Sequence, residues 1–136
     1  MADQGVNYGQ ILNVAQKYLT LQKKANVLAR SASDELLSGS AGSAYLKRMG
    51  HRPLTTEDVE RLINTLGSEE DRKALSAFQQ AQELLNQRLW QTKNIGLVLE
   101  QAAIPYDLFY KRKKRPDLWK PEQMISIVDV LQRLRL

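Results

Sequence analysis

The sequence contains no cysteine and only one histidine. Without cysteine the chain can form neither a disulfide framework nor a thiolate metal site, and this composition suits a reducing compartment. No stretch reaches the roughly 18 consecutive apolar residues of a membrane-spanning helix, and the first residues have neither the basic start nor the apolar run of a secretory signal. We therefore expect a cytoplasmic protein that has no membrane association.

Chemical groups that could assemble into a catalytic site are scarce. His51 lies between Gly50 and Pro53, which predicts a loop, and no second histidine could share a metal with it. The sequence has no phosphate-binding glycine loop, dinucleotide fingerprint, nucleophile elbow or zinc-protease motif. The acidic residues 69–71 are typical of a first helical turn, where negative charge suits the helix dipole. We expect no catalytic, cofactor-binding or metal-binding residues, and a protein that is not an enzyme.

Helical periodicity dominates what is present. The 136 residues, 43% of them hydrophobic, suffice for one domain with its own core, and we predict a single helical domain over residues 1–136. A first long helix is predicted from about Tyr8 to Leu37, because apolar residues recur there at steps of three and four. These residues are Ile11, Val14, Tyr18, Leu21, Ala25, Leu28 and Ala32.

Glycine and serine then predict a flexible loop over residues 38–53, in which residues 44–49 could form one helical turn. Thr55 and Asp58 have the spacing of a capping box, which predicts a short helix that ends at Gly67. Ser68 should cap a second long helix that runs to about Ile104. Its apolar face is interrupted at Gln82, Thr92 and Gly96, so either the buried face changes along the helix or part of it is left for a partner.

Pro105 should interrupt that helix, and residues 111–120 are predicted to form a basic loop, because five adjacent positive charges repel one another. A last helix is predicted from Pro121 to about Arg135, with Met124, Ile127, Val128, Leu131 and Leu134 inward. No segment alternates as a strand would. The expected fold is all-α, an elongated bundle of three to five helices with two long antiparallel helices.

The net charge of +5 is concentrated in one segment. Between Tyr106 and Lys120 there are six Lys or Arg against two Asp, and aromatic residues are interleaved with them. Cations can pair with phosphates while aromatic faces stack on bases, so this segment suits single-stranded nucleic acid, but it also suits an acidic protein surface or a merely solvated loop. The candidate residues are Tyr110, Lys111, Arg112, Lys113, Lys114, Arg115 and Trp119. A second, smaller positive loop contains Lys47, Arg48, His51 and Arg52.

Residues 66–108, with recurring Leu and Gln and with Asn94 before paired aliphatic residues, resemble the long third helix of the FlgN family of flagellar export chaperones. The resemblance implies a cytoplasmic chaperone that holds an amphipathic helix of a flagellar filament-junction protein in a groove between its own helices. The residues that would contact this client are Leu85, Leu89, Trp90, Asn94, Leu97 and Val98.

Three functions therefore compete. The leading expectation is a non-enzymatic helical protein-binding module of the export-chaperone kind. The alternatives are a nucleic-acid-binding protein that uses segment 106–120, and a subunit of a helical assembly, which includes a homo-oligomer.

Overall fold

The computed structural model describes residues 7–136, and these residues form helices without any strand. The all-α prediction is confirmed. The α-helices are α1 (Tyr8–Ala29), α2 (Ala41–Arg48), α3 (Thr56–Leu66), α4 (Glu69–Gln91), α5 (Ile95–Gln101), α6 (Tyr106–Lys114) and α7 (Pro121–Arg133). Single turns of 3-10 helix occupy Asp34–Leu36 and Pro116–Leu118. Within residues 7–136, no helix has both the length and the apolarity that crossing a membrane requires.

The chain, predicted as one domain, divides into two compact units. The terminal unit comprises residues 7–17 together with Ala77–Leu136, and the middle unit comprises Tyr18–Ser76. Helices α1 and α4 each contribute to both units. The chain has more helices than the three to five predicted. Helices form within both predicted loops, and the second long predicted helix is divided into α4 and α5.

The first of these differences lies at the end of α1, which stops at Ala29 and not near Leu37. Beyond it, hydrogen bonds of the tighter i to i+3 type connect Ala32 to Ala29 and Leu37 to Asp34. Ser and Asp side chains compete with the helical backbone for hydrogen bonds, and they are frequent in this segment. Ala32 and Leu37 are still buried, as the periodicity predicted for Ala32.

The predicted loop over residues 38–53 is wrong in its centre, where α2 spans eight residues. Ser40 caps this helix, since its hydroxyl oxygen accepts a 3.2 Å hydrogen bond from the Ser43 backbone N–H. At the other end Gly50 adopts a φ of 80°, and the N–H groups of Gly50 and His51 donate to the carbonyls of Lys47 and Leu46. This is a Schellman motif, so the glycine and serine residues supply helix caps as well as loops.

The second long helix is also shorter than predicted, because α4 ends at Gln91 and does not continue to Ile104. The Thr92 hydroxyl donates a 2.6 Å hydrogen bond to the carbonyl of Arg88, and Asn94 adopts the left-handed conformation with a φ of 59°. Asparagine tolerates this conformation better than most residues, so the chain can change direction before α5 begins at Ile95.

Three predicted boundaries are confirmed. Thr55 and Asp58 form a capping box at the start of α3. Ser68 and Asp71 exchange the equivalent pair of hydrogen bonds at the start of α4, at 3.1 and 2.9 Å. Helix α7 begins at Pro121, and the residues predicted to face inward are buried except Leu134, which is half-buried.

A buried ion pair connects α2 and α3 inside the middle unit. Lys47 Nζ lies 2.7 Å from Asp58 Oδ2 and also donates to the backbone carbonyl and the hydroxyl of Ser38. Asp58 accepts further hydrogen bonds from the backbone N–H groups of Ser38 and Thr55. Burial by itself raises the pKa of the Asp58 carboxyl, but the hydrogen bonds from Lys47, Ser38 and Thr55 outweigh it and lower the pKa to about 2.

Candidate aromatic and basic surface

Helix α6 carries four adjacent positive side chains of the terminal unit, Lys111, Arg112, Lys113 and Lys114. Lys111 to Lys114 form its last turn, so the prediction of a basic loop over residues 111–120 is wrong for this part. The positive side chains lie at the carboxyl end of the helix, where the helix dipole favours cations and offsets their mutual repulsion. The helix ends at Lys114, because Pro116 disfavours the helical conformation in Arg115, the residue before it.

Trp119 is buried and cannot stack on a ligand, which corrects its assignment to the binding surface. It is 1% exposed, and its indole N–H donates a 3.0 Å hydrogen bond to Asn86 Oδ1. The side-chain amide of Gln82 donates to the backbone carbonyls of Asp117 and Trp119, at 3.1 and 2.8 Å. Gln82, for which a change of buried face and a gap left for a partner were the two alternatives, therefore binds a segment of the same chain.

An aromatic cluster lies where α6 packs against the end of α4. It consists of Trp90, Tyr106, Phe109 and Tyr110. The rings of Trp90 and Phe109 are stacked, with centroids 4.3 Å apart and an interplanar angle of 17°. Phe109 is buried, whereas Tyr106 and Tyr110 are 52% and 57% exposed with ring centroids 6.3 Å apart. The cluster therefore has an inner side in the core and an outer side that two tyrosines present to solvent.

The positive side chains around this cluster have different environments. Lys113 Nζ lies 4.6 Å from the Trp90 ring centroid, and the Arg112 guanidinium lies 5.6 Å from the Trp119 ring centroid. Burial lowers the pKa of Arg112, whose Nε is buried without a hydrogen-bond partner among the described residues. Arg115 forms two hydrogen bonds with the carboxylate of Asp117, at 3.0 and 2.8 Å.

Three lysines of α6, Lys111, Lys113 and Lys114, are exposed. Lys111 and Lys114 make no ion pair with any residue in the range 7–136. Together with Lys113, Tyr106 and Tyr110 they form what we call the aromatic–basic surface. A lysine that has no internal carboxylate partner does not have to break an ion pair when it binds an external anion. This surface is therefore suited to a negatively charged ligand.

Gly96 helps to position Tyr106. A Cβ atom at residue 96 would lie 2.4 Å from the Tyr106 hydroxyl oxygen, far inside van der Waals contact. The glycine thus permits the Tyr106 hydroxyl to approach the backbone of α5. Sequence periodicity detected Gly96 as a gap in the apolar face, but it could not identify Tyr106 as the residue that fills the gap.

The predicted client-binding residues separate into two groups. Leu85, Leu89 and Val98 are at most 1% exposed and belong to the core of the terminal unit, so they cannot contact a client. Leu97 is 43% exposed, Asn94 is exposed, and Trp90 is half-buried within the aromatic cluster. The apolar seam that predicted a client groove is therefore mostly covered by the chain itself.

The residues of the second predicted positive loop, Lys47, Arg48, His51 and Arg52, lie in the middle unit. Lys47 and Arg48 form part of the last turn of α2, so the loop prediction is wrong for these two residues. Across residues 7–136, no group of three or more His, Cys, Asp or Glu side chains could hold a metal ion. No protein-family model, no curated protein and no solved structure matches this chain. The resemblance to the FlgN family stays a prediction.

Proposed function

We propose that this protein is a non-enzymatic, cytoplasmic binding protein whose aromatic–basic surface binds single-stranded nucleic acid. The observation that carries this proposal is the pair of exposed tyrosines one helical turn apart, Tyr106 and Tyr110, on the helix that also carries Lys111, Lys113 and Lys114. Bases of a single strand are free to stack on exposed aromatic rings, and each stacked base contributes about 1–3 kcal/mol.

The charge arrangement supports a phosphate-bearing strand. Lys111 and Lys114 are exposed, while Lys113 lies over Trp90 at the border of the cluster. A strand whose bases contact the tyrosines would have its phosphates within reach of lysine side chains from the same helix. Lysine pairs with phosphate without reading sequence, so we expect little base specificity.

The charge contribution can be tested by the salt dependence of binding. For single strands, the logarithm of the affinity falls with the logarithm of the salt concentration with a slope of about −0.7 per neutralised phosphate. The double substitution Lys111→Gln/Lys114→Gln should therefore reduce this slope by about 1.4. Fluorescence anisotropy with a labelled oligonucleotide of about 12 nucleotides measures it.

Lys17→Gln/Lys23→Gln is the matched control, because it removes the same charge from exposed positions of α1. This control should leave the slope unchanged. Absence of binding by the unmodified protein at low salt refutes the proposal.

The stacking contribution can be tested separately. Tyr110→Ala should weaken oligonucleotide binding about tenfold, the loss expected for one stacked base. Tyr45→Ala is its matched control, because Tyr45 lies on α2 and is 56% exposed, close to the 57% of Tyr110. Equal affinities for the two variants would show that Tyr110 does not stack on a base.

A protein-binding module, as in an export chaperone, is the second candidate. A groove of about 310 Å³ in the terminal unit favours it, because exposed Leu84 and half-buried Val14 lie there beside the amides of Gln10 and Gln80. This mixture suits the apolar face and polar flank of an amphipathic helix. In this function the two long helices would run antiparallel, an arrangement that stays a prediction.

A peptide with the amphipathic terminal helix of a flagellar filament-junction protein tests this second candidate. It should bind the unmodified protein, and Leu84→Asp should abolish binding. A peptide that binds both proteins equally, or neither, contradicts it. The remaining alternative, a subunit of a helical assembly, predicts an oligomer in sedimentation velocity, and a monomer at micromolar concentration contradicts it.

A further inference from the structure

The middle unit contains a pocket with an unusual concentration of positive side chains. The pocket has a volume of about 350 Å³ and lies where α2 ends and the chain turns towards α3. Its positively charged and titratable lining residues are Arg30, Lys47, Arg48, His51 and Arg52. Its remaining lining residues are Asn26, Met49, Gly50 and Pro53, so no carboxylate lines the pocket.

Two of these cations are neutralised inside the unit. Lys47 is paired with buried Asp58, and Arg48 Nη1 lies 2.5 Å from Asp34 Oδ1. Arg30 and Arg52, in contrast, form no ion pair with any residue in the range 7–136, and both are exposed. Arg52 instead donates a 2.9 Å hydrogen bond to the Ser43 hydroxyl. Two arginines without carboxylate partners therefore line one pocket, and their charge is not cancelled.

The backbone at the carboxyl end of α2 repels an anion less than such a helix end ordinarily does. The carboxyl end of a helix carries partial negative charge on its unpaired carbonyls. At the end of α2, however, the carbonyls of Leu46 and Lys47 accept hydrogen bonds from His51 and Gly50. The Schellman motif thus reduces the negative potential that the pocket would otherwise receive from α2.

The size and lining of the pocket restrict its ligand. A volume of about 350 Å³ is far larger than one phosphate group needs and lies at the lower end of small-molecule sites, which begin at about 300 Å³. Met49, which is 55% exposed, and Pro53 supply apolar contact area next to the arginines. Arginine is also the side chain whose planar, forked donors best match the oxygens of a phosphate.

We propose that this pocket binds the phosphate group of a phosphate ester of about nucleotide size, with Arg30 and Arg52 as the phosphate ligands. The organic part of the ester packs on Met49 and Pro53. This site lies in the middle unit, whereas the aromatic–basic surface lies in the terminal unit, so the two proposals rest on different residues.

The test is a titration of the full chain followed by heteronuclear NMR, with adenosine 5′-monophosphate, pyrophosphate, inorganic phosphate and a short single-stranded oligonucleotide as separate probes. We expect saturable shifts of the Gly50 and His51 amide signals with adenosine 5′-monophosphate. Arg30→Gln/Arg52→Gln should weaken this binding at least about tenfold, since each charge-assisted hydrogen bond contributes that much. Lys17→Gln/Lys23→Gln, which removes equal charge elsewhere, should leave it within about twofold.

The outcomes separate this site from the nucleic-acid proposal. Binding of adenosine 5′-monophosphate at Gly50 and His51 supports the pocket even if no oligonucleotide binds α6. If the oligonucleotide shifts these two signals and adenosine 5′-monophosphate does not, the phosphate belongs to a nucleic-acid backbone and the small-molecule site is refuted. Binding that is equal in the unmodified protein and in Arg30→Gln/Arg52→Gln, or the absence of shifts with every probe, also overturns the proposal.

Discussion

The indole N–H of Trp119 donates a hydrogen bond of 3.0 Å to Asn86 Oδ1, and both side chains are buried. This bond attaches the segment after α6 to the carboxyl-terminal half of α4. A buried donor that loses its acceptor costs about 1–3 kcal/mol, because it has neither water nor protein to bind. Asn86→Ala should therefore lower the free energy of unfolding by this amount in urea denaturation.

Gln87→Ala is the control for this prediction, because Gln87 is the next residue of α4 and is exposed. It should change the free energy of unfolding by less than about 0.5 kcal/mol. Equal effects of the two substitutions would mean that the Asn86 to Trp119 hydrogen bond does not stabilise the terminal unit.

The ion pair of Lys47 with Asp58 predicts a pH dependence of stability. The pKa of Asp58 is lowered to about 2 from an ordinary 3.8, so its contribution is complete above the ordinary value and is lost as the pH falls towards 2. The difference corresponds to roughly 2 kcal/mol. We expect the stability advantage of the unmodified protein over Asp58→Asn to shrink by about this amount between about pH 5 and pH 2.

Chemical denaturation at a series of pH values measures this change. Asp129→Asn is the control, because Asp129 forms an exposed i,i+4 pair with Arg133. Its free energy of unfolding should stay close to that of the unmodified protein at every pH, because exposed ion pairs contribute little to stability. A pH-independent gap between the unmodified protein and Asp58→Asn would refute the proposed linkage.

Gly96 and Tyr106 form a pair whose substitutions should not be additive. Gly96→Ala places a Cβ 2.4 Å from the Tyr106 hydroxyl oxygen, so Tyr106 must move and the variant should be destabilised. Without that oxygen, the nearest ring atom is 3.7 Å from the Cβ, which is ordinary contact. In a Tyr106→Phe background the alanine should therefore be neutral or should stabilise the helix, by up to about 1 kcal/mol.

A double-mutant cycle by thermal or urea denaturation measures this coupling. If Gly96→Ala has the same effect with tyrosine and with phenylalanine at residue 106, the close approach does not position Tyr106. Oligonucleotide affinity offers a second readout, because Gly96→Ala displaces Tyr106 and should therefore bind the oligonucleotide more weakly.

Gly67 follows the last turn of α3, where there is no space for a side chain. Its φ of −79° suits any residue, but a Cβ here would lie 2.6 Å from the Ile63 carbonyl oxygen, which cannot move freely. Gly67→Ala should destabilise the protein by about 1–3 kcal/mol, as overpacking does. Gly42→Ala in α2 is the control, because its Cβ would meet no atom closer than 3.8 Å, and it should be neutral or stabilising. Thermal denaturation compares the two variants.

Part of the candidate site could be predicted from the sequence. The basic run and its neighbouring tyrosines were found by composition, and Tyr110, Lys111, Lys113 and Lys114 are exposed as that prediction requires. Trp119 belongs to the same basic and aromatic segment, but it is buried, and its indole N–H donates to Asn86, 33 residues earlier. Exposure of an aromatic residue depends on such distant partners, and periodicity carries no information on them.

The sequence by itself determined the features that depend on neighbouring residues. The helical class, the capping boxes at Thr55 and Ser68, and the start of α7 at Pro121 follow from side chains that bond to backbone groups three residues away or from fixed backbone angles. Only the tertiary structure decided which contacts are made by the residues that interrupt the apolar face of the second long predicted helix. Gln82 and Gly96 were gaps by pattern, but contacts with Trp119 and Tyr106 occupy them, because folding brings together residues that are distant in the chain.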